Sequence, residues 1–227
     1  MKHILITGGS DGLGKNTAKK LQDAGYKVTI LSKDADKTKK AAEEIGCSYV
    51  VADVSDARQV GSAIAQAVEQ GGEIDILINN AGIWISGLLE QYTSADIERS
   101  IAVNTLGVIY CTHAVVESMK KRGSGRIINV NSQAGLYAKA ERSVYHASKW
   151  AVTGFTKSLQ LELKPPGISV TGFYPGAMDT GLFAKVGDTK DRSNALDFSI
   201  AADSLVYVCG LPDHVDIPEI GIQSLKY

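Results

Sequence analysis

The stretch Ser143–Lys149, "SVYHASK", places a tyrosine and a lysine four residues apart with small side chains between them. On a helix, positions i and i+4 share a face, so Tyr145 and Lys149 point the same way. A free phenol, with a pKa of about 10, is too weak an acid for easy proton exchange near neutrality. A nearby ammonium favours the phenolate and lowers that value, which would make Tyr145 a usable general acid and base. Taken alone, the same pair also reads as an ordinary surface contact. The scaffold around it decides.

That scaffold alternates short β-branched runs with longer helical patterns. "HILI" precedes a helix from about Leu13, "KVTIL" precedes "DADKTKKAAEEI", and "SYVV" precedes "DARQVGSAIAQAVEQ". Then come "IDILI", a helical stretch from about Ser94 to Arg122, "RIINV", the helix carrying Tyr145, and "ISVTGF". A last helix is expected over about Ser199 to Cys209, with "EIGIQ" as an edge strand. Near-continuously apolar strands signal a sheet covered on both faces. The alternation predicts right-handed βαβ crossovers and a doubly wound parallel sheet. Ligands of such sheets bind beyond the carboxyl ends of the strands, so chemistry should sit just after them.

Just after the first strand stands "TGGSDGLG", Thr7 to Gly14. Glycines there let the backbone turn tightly and approach a pyrophosphate at a helix N-terminus. The rhythm Gly8-x-x-x-Gly12-x-Gly14 is neither G-x-G-x-x-G nor a nucleotide-triphosphate loop, because Lys15 and Asn16 stand where Lys-Ser/Thr would. A purely structural strand–helix turn remains the alternative reading of the glycines alone.

Further pieces follow in order: "NNAG" (Asn79–Gly82) after the fourth strand, Asn104 in "VNTLG", and Ser132 in "NVNSQAG", thirteen residues before Tyr145. "PGAMDT" (Pro175–Thr180) follows the sixth strand. From Ile4 to about Thr180 the chain thereby resembles the short-chain dehydrogenase/reductase family, in its compact single-domain branch. The resemblance implies a Rossmann-type α/β fold, one domain over residues 1–227, and a substrate lid at 181–197. It implies a catalytic set of Asn104, Ser132, Tyr145 and Lys149. Ser132 would hydrogen-bond the substrate oxygen, Lys149 would also bind the nicotinamide ribose, and Asn104 would hold a water leading from Lys149 to solvent. Implied cofactor contacts are Thr7, Gly8, Ser10, Gly12, Leu13 and Gly14 in the first turn, then Ser32, Lys33, Asp53 and Val54. Asn80, Ala81, Gly82, Tyr145, Lys149, Pro175, Gly176, Met178 and Thr180 complete them.

The expected activity is interconversion of a small alcohol and its ketone or aldehyde by an NAD(P)-dependent oxidoreductase. The alternative is a catalytically silent NADP(H)-binding regulatory or scaffold protein of the same fold. NADP(H) is favoured over NAD(H), because Ser32 and Lys33 stand where an acidic residue would repel a 2′-phosphate. Asp34 and Asp11 are counter-signs: either carboxylate, if aimed at the ribose, would favour NAD. Trp84, Ile85, Leu136, Tyr137 and residues 178–186 form the expected pocket wall, which suggests an apolar carbonyl compound; a single charged side chain would reverse that. His146 is expected to face away, in a structural role.

Composition narrows the classes further. The 227 residues are 44% hydrophobic and 22% charged, with a net charge of −1, which offers nucleic acid or an anionic membrane no electrostatic attraction. No membrane span and no metal site is expected. Cys47, Cys111 and Cys209 have neither disulfide nor metal spacing, and a cytoplasmic setting is the default expectation. Ala147, Ala151, Phe155, Leu159 and Leu163 form an apolar stripe, and with the family resemblance this suggests a homodimer or homotetramer.

Overall fold

Residues 1–178 and 194–226 are described by this computed structural model, and the alternation read from the sequence is there. In chain order the elements are β1 (His3–Thr7), α1 (Gly12–Asp23), β2 (Lys27–Ser32), α2 (Ala35–Ile45), β3 (Ser48–Val51), α3 (Ala57–Gly71) and β4 (Ile76–Asn79). Then come α4 (Ser94–Ile101), α5 (Gly107–Arg122), β5 (Gly125–Val130), α6 (Ser143–Leu163), β6 (Ile168–Pro175), α7 (Phe198–Cys209) and β7 (Glu219–Ile222). The strands pair in parallel in the order β3-β2-β1-β4-β5-β6-β7. Strand order reverses between β1 and β4, and that switch point opens the crevice above them.

Each sheet face has its own core. Helices α1, α2 and α7 bury Leu21, Ile45 and Leu205 against Ile4, Ile30 and Ile128. Helices α3, α5 and α6 bury Ile64, Val115 and Leu163 against Leu5, Leu77 and Ile127 on the other face. Alternate residues of each strand thus serve opposite layers, which is why the strands read as unbroken apolar runs. Carboxylates start many of the helices: Asp11, Asp34, Asp56 and Asp197 cap α1, α2, α3 and α7. In "DVSDA" the cap is Asp56, which leaves Asp53 to accept from the Ser55 backbone N–H and hydroxyl.

Two expectations change. The stretch from Ser94 to Arg122 is not one uninterrupted α-helix, because Ala102–Leu106 form a turn of π-helix between α4 and α5. By length and apolarity this 29-residue run also passes as a membrane span, contrary to the expectation of none. Yet it packs across the sheet of this same domain and carries the buried Asn104 in its middle. The expected lid at 181–197 lies mostly outside the described residues; Leu196, within them, bridges to Met178. Beyond α7, the buried Arg126 donates to the carbonyls of Leu211, Pro212 and Val215 at 3.2–3.4 Å. Those bonds tie down the chain before β7, and β7 in turn pairs with β6.

His3 begins β1 and is 2% exposed. Its Nδ1 lies 2.8 Å from the Gly72 carbonyl and its Nε2 lies 2.8 Å from the Thr29 hydroxyl. A neutral ring with the proton on Nδ1 satisfies both contacts, and burial lowers the pKa below its ordinary value. The unfolded chain therefore takes up a proton at about pH 6.5, where the folded ring does not. Stability should be full above that value and fall as pH drops below it. Thermal melts between about pH 7 and pH 5 should show a smaller loss in His3→Asn, which keeps the donor to Gly72 but cannot titrate. Parallel losses in the two proteins would exclude His3 as the cause.

Candidate active site

The glycine turn after β1 is built by contact with β4. Gly8 has φ +66°, a left-handed value, and a methyl group there would lie 2.9 Å from the Cα of Ala81. Gly14, in the first turn of α1, is tighter: a methyl would meet the Asn80 amide and the Gly8 carbonyl, both at 2.4 Å. Asn80 donates its side-chain amide to the carbonyls of Thr7 and Gly8 at 2.9 and 3.2 Å. The Thr7 hydroxyl accepts from the N–H groups of Asn80 and Ala81 at 3.0 Å. Thr7, Gly14 and the Asn80 side chain are therefore what shape this turn.

Helix α6 brings the other half. Tyr145 and Lys149 are buried on its inner face, at 7% and 6% exposure. The Lys149 ammonium donates to the Val130 carbonyl at the end of β5, at 3.3 Å, and lies 6.0 Å from the centroid of the Tyr145 ring. Asn131 fixes α6 by donating to the Lys149 carbonyl and the Thr153 hydroxyl at 3.1 and 2.8 Å. The π turn carries Asn104 to the same place. Its Oδ1 accepts from the Ile83 N–H at 2.8 Å, while its amide donates to the Ile83 carbonyl and the Ser148 hydroxyl. Such turns widen a helix by one residue and aim a side chain that a regular helix would carry past.

Burial sets the electrostatics. The Tyr145 phenol is pushed up to about 12, and a hydrogen bond from Ser132 and the charge of Arg142 offset only part of that. Burial also pushes the Lys149 ammonium down to about 8. The sequence argument expected the ammonium to lower the phenol. In the structure desolvation of both groups outweighs that attraction, and the ammonium is engaged by a carbonyl.

One cavity of about 940 Å³ joins the two halves. Gly8, Ser10, Gly12, Leu13, Ser32, Lys33, Asp53 and Val54 line one end, with Asn80, Ala81 and Gly82 beside them. Ser132, Tyr145, Lys149, Pro175, Gly176 and Met178 line the other. Thr7, Gly14 and Asn104 support the wall without lining it, and Thr180 lies outside the described residues. Both counter-sign carboxylates are engaged. Asp34 accepts from the Lys37 N–H at 3.0 Å, and Asp11 pairs with the Lys37 ammonium at 2.6 Å.

Several lining residues escaped the sequence argument. Lys37 lies one helical turn beyond Lys33, a spacing that could have signalled it. Lys139 and Arg142 precede α6, and Gln223 and Ser224 arrive from the chain after β7. Gln133 hydrogen-bonds Gln223 across the mouth. Of the expected apolar wall, Trp84, Tyr137 and Met178 line the cavity, whereas Ile85 and Leu136 do not. His146 makes the structural bond expected of it, Nδ1 to the Ala134 carbonyl at 2.8 Å, but it also lines the cavity instead of facing away. Among the described residues no cluster suits a metal ion.

The left-handed turn at a helix N-terminus and the long cavity are those of a Rossmann-like dinucleotide-binding fold, with a phenol and an ammonium set on the cavity wall. Residues 2–191 match the sequence model of the family described as short chain dehydrogenase, and the chain belongs to that family. The bovine 3-ketodihydrosphingosine reductase is 37% identical over 204 residues, covering 86% of this chain; the chain spans 61% of that relative's length. An alcohol dehydrogenase of Thermococcus sibiricus, solved with 5-hydroxy-NADP, superposes with a TM-score of 0.91 at 27% identity, covering 100% and 98% of the two chains. A 3-ketoacyl-(acyl-carrier-protein) reductase of Brucella melitensis, solved with NADH, does so with 0.89 at 29% identity, covering 98% and 96%.

The residues present fit a dinucleotide, because the glycine turn, with Gly8 at φ +66°, and the N-terminus of α1 line one end of the cavity, where backbone N–H groups suit a pyrophosphate. Gly14→Ala should lower the melting temperature and weaken NADPH binding together, because the methyl displaces Asn80 and with it the joint between β1 and β4. Titration with NADPH and a thermal melt check both; normal affinity in the folded variant would contradict this account of the turn.

Proposed function

We propose that the chain is an NAD(P)-dependent oxidoreductase, preferring NADP(H), that interconverts an alcohol and its ketone or aldehyde with Tyr145 as general acid and base. The observation that carries this reading is the meeting of Tyr145, Lys149 and Ser132 on the wall of a cavity that begins at the glycine turn. The relatives support it in that they are named as reductases and dehydrogenases. A bound nicotinamide dinucleotide supplies the hydride. The chain's own residues do the rest.

In carbonyl reduction Tyr145 gives its proton to the substrate oxygen as that oxygen becomes an alkoxide, and in oxidation it takes the proton back. Ser132 holds the same oxygen by a hydrogen bond. Lys149 spends one of its three donors on Val130 and has the rest for cofactor hydroxyls. Asn104 is assigned a positioning role: its amide holds Ile83 and Ser148 and so fixes the gap between the β4 loop and α6. Both members of the Tyr–Lys pair face the cavity, which favours turnover over silent binding.

The preference for NADP(H) rests on the β2 end of the cavity. Ser32, Lys33 and Lys37 line it, while Asp34 is occupied as a helix cap and Asp11 is paired. A 2′-phosphate there would meet the Lys33 ammonium and the Ser32 hydroxyl, and would compete with Asp11 for the Lys37 ammonium. The neighbours solved with 5-hydroxy-NADP and with NADH divide on this point, so the argument rests on these side chains. An oligomer is favoured by exposed apolar residues on α6: Leu161 is 76% exposed and Trp150 51%, with Ala147 and Ala151 exposed as well. The stripe read from the sequence splits here, since Leu159 and Leu163 are buried against the sheet.

Tyr145→Phe should keep the ring packing and cofactor affinity while lowering carbonyl reduction by about a hundredfold or more, measured as NADPH consumption. Turnover within about threefold of the parent would remove Tyr145 from the role of acid. For the cofactor, specificity constants should favour NADPH over NADH, and Ser32→Asp should shrink or reverse that ratio. A native preference for NADH would overturn the assignment of the β2 end.

A further inference from the structure

The cavity carries opposite charge patterns at its two ends. Its lining carboxylates, Asp11, Asp34 and Asp53, all lie beside α1 or after β2 and β3. The end that holds Tyr145 is lined by cations and no carboxylate among the described residues: Lys139 and Arg142 join Lys149 there. Arg142 is half-buried, and its guanidinium sits 5.0 Å from the centroid of the Trp84 ring. Trp84 in turn meets Tyr145 edge-on, with ring centroids 4.5 Å apart. Two ring contacts therefore link the guanidinium to the phenol. Arg142 makes no ion pair with any described residue, and its charge is felt at the phenol.

The backbone is bent to put it there. Glu141, immediately before Arg142, has φ +61° and is the only non-glycine among the described residues with a positive φ. Its carbonyl accepts from the Gly87 N–H at 2.8 Å, which fastens the turn to the loop that carries Trp84. Strain of this kind persists where the surroundings hold it, and it concentrates where a side chain must be aimed. A guanidinium held over an aromatic face keeps N–H groups available, and their fork matches a carboxylate.

We propose that Arg142, assisted by Lys139, binds an anionic group of the substrate, so that the preferred substrates are keto acids, or the corresponding hydroxy acids, whose carboxylate lies a few carbons from the reacting carbon. This rests on the oxidoreductase reading above and replaces the apolar carbonyl compound expected from the sequence. Trp84 supplies the apolar floor between the two ends of such a molecule. Tyr145 and Ser132 engage its oxygen while Arg142 engages its carboxylate, and two anchored ends fix the carbon between them.

The test separates recognition from turnover. Calorimetric titration of the NADP+-saturated protein with acetoacetate and levulinate, and with their methyl esters, reads binding without reaction. The acids should bind about tenfold more tightly than the esters, with the advantage shrinking as salt rises. Arg142→Gln should abolish the acid-over-ester ratio and Arg142→Lys should retain part of it; Lys139→Gln, at an exposed position, should reduce it and guards against misfolding of the first variant. Equal binding of acid and ester, binding of neither, or a loss in Arg142→Gln confined to NADP+ affinity would each overturn the proposal. Failure of the oxidoreductase reading shows separately, as no NADPH consumption with any carbonyl, and the binding ratio then still decides the charge assignment.

Discussion

Lys149 carries an ammonium into the end of a parallel sheet, and much of the surrounding structure follows from holding it there. A charge so buried is costly unless it is given acceptors, and the protein acceptor here is the Val130 carbonyl at the end of β5. That bond requires α6 to lie close over the sheet. Ser148 faces inward; its hydroxyl accepts from the Asn104 amide and donates to the Tyr145 carbonyl, and the Thr105 hydroxyl donates to the Ser148 carbonyl. The π turn exists at this contact. A regular helix through 102–106 would carry Asn104 and Thr105 past Ser148, and the loop after β4 would lose its grip on Ile83.

The same closeness ties the cofactor end to the catalytic end. Gly82 stands between them, since a methyl on it would lie 3.2 Å from Asn104 Oδ1 and 3.9 Å from Lys149 Nζ. Ala81, one residue earlier, already packs against Gly8. The loop "NNAG" is therefore a strut, with the glycine turn on one side and the ammonium on the other. Small residues recur there because the backbones are in contact.

The layered sheet was legible because each strand is bounded by turn chemistry and each helix has an apolar period. Even the edge strand at Glu219–Ile222 followed from "EIGI". That Ser132, Tyr145 and Lys149 share one wall of the cavity was legible because they lie after β5 and on α6, neighbouring elements. What escaped depended on where loops fold back. Arg142 and Lys139 look like ordinary charged residues of a connecting segment, and nothing in their spacing says that Glu141 bends left-handed and lays Arg142 on Trp84. Lys37 looked like part of a solvated helix face. Gln223 reaches the cavity because Arg126, buried at the opposite end of the sheet, holds the carbonyls that lead into β7. The π turn has no composition signal either; it is a consequence of packing.

Burial favours the protonated form of the Tyr145 phenol. A phenol pushed up to about 12 keeps its proton throughout the neutral range, and an alkoxide formed beside it takes that proton downhill. Burial disfavours the phenolate that alcohol oxidation would need, and positive charge brought to that wall would favour it. Arg142 supplies some of this charge, since it acts to lower the phenol. An anionic group paired to the guanidinium cancels that influence, and the phenol then holds its proton more firmly with substrate in place. On the proposed reading a bound carboxylate would therefore make Tyr145 a weaker acid, still protonated at neutrality, whereas a neutral carbonyl compound would leave the guanidinium lowering it. Trp84 is the joint in this reading, since Arg142 lies over its ring and the Tyr145 ring rests against it.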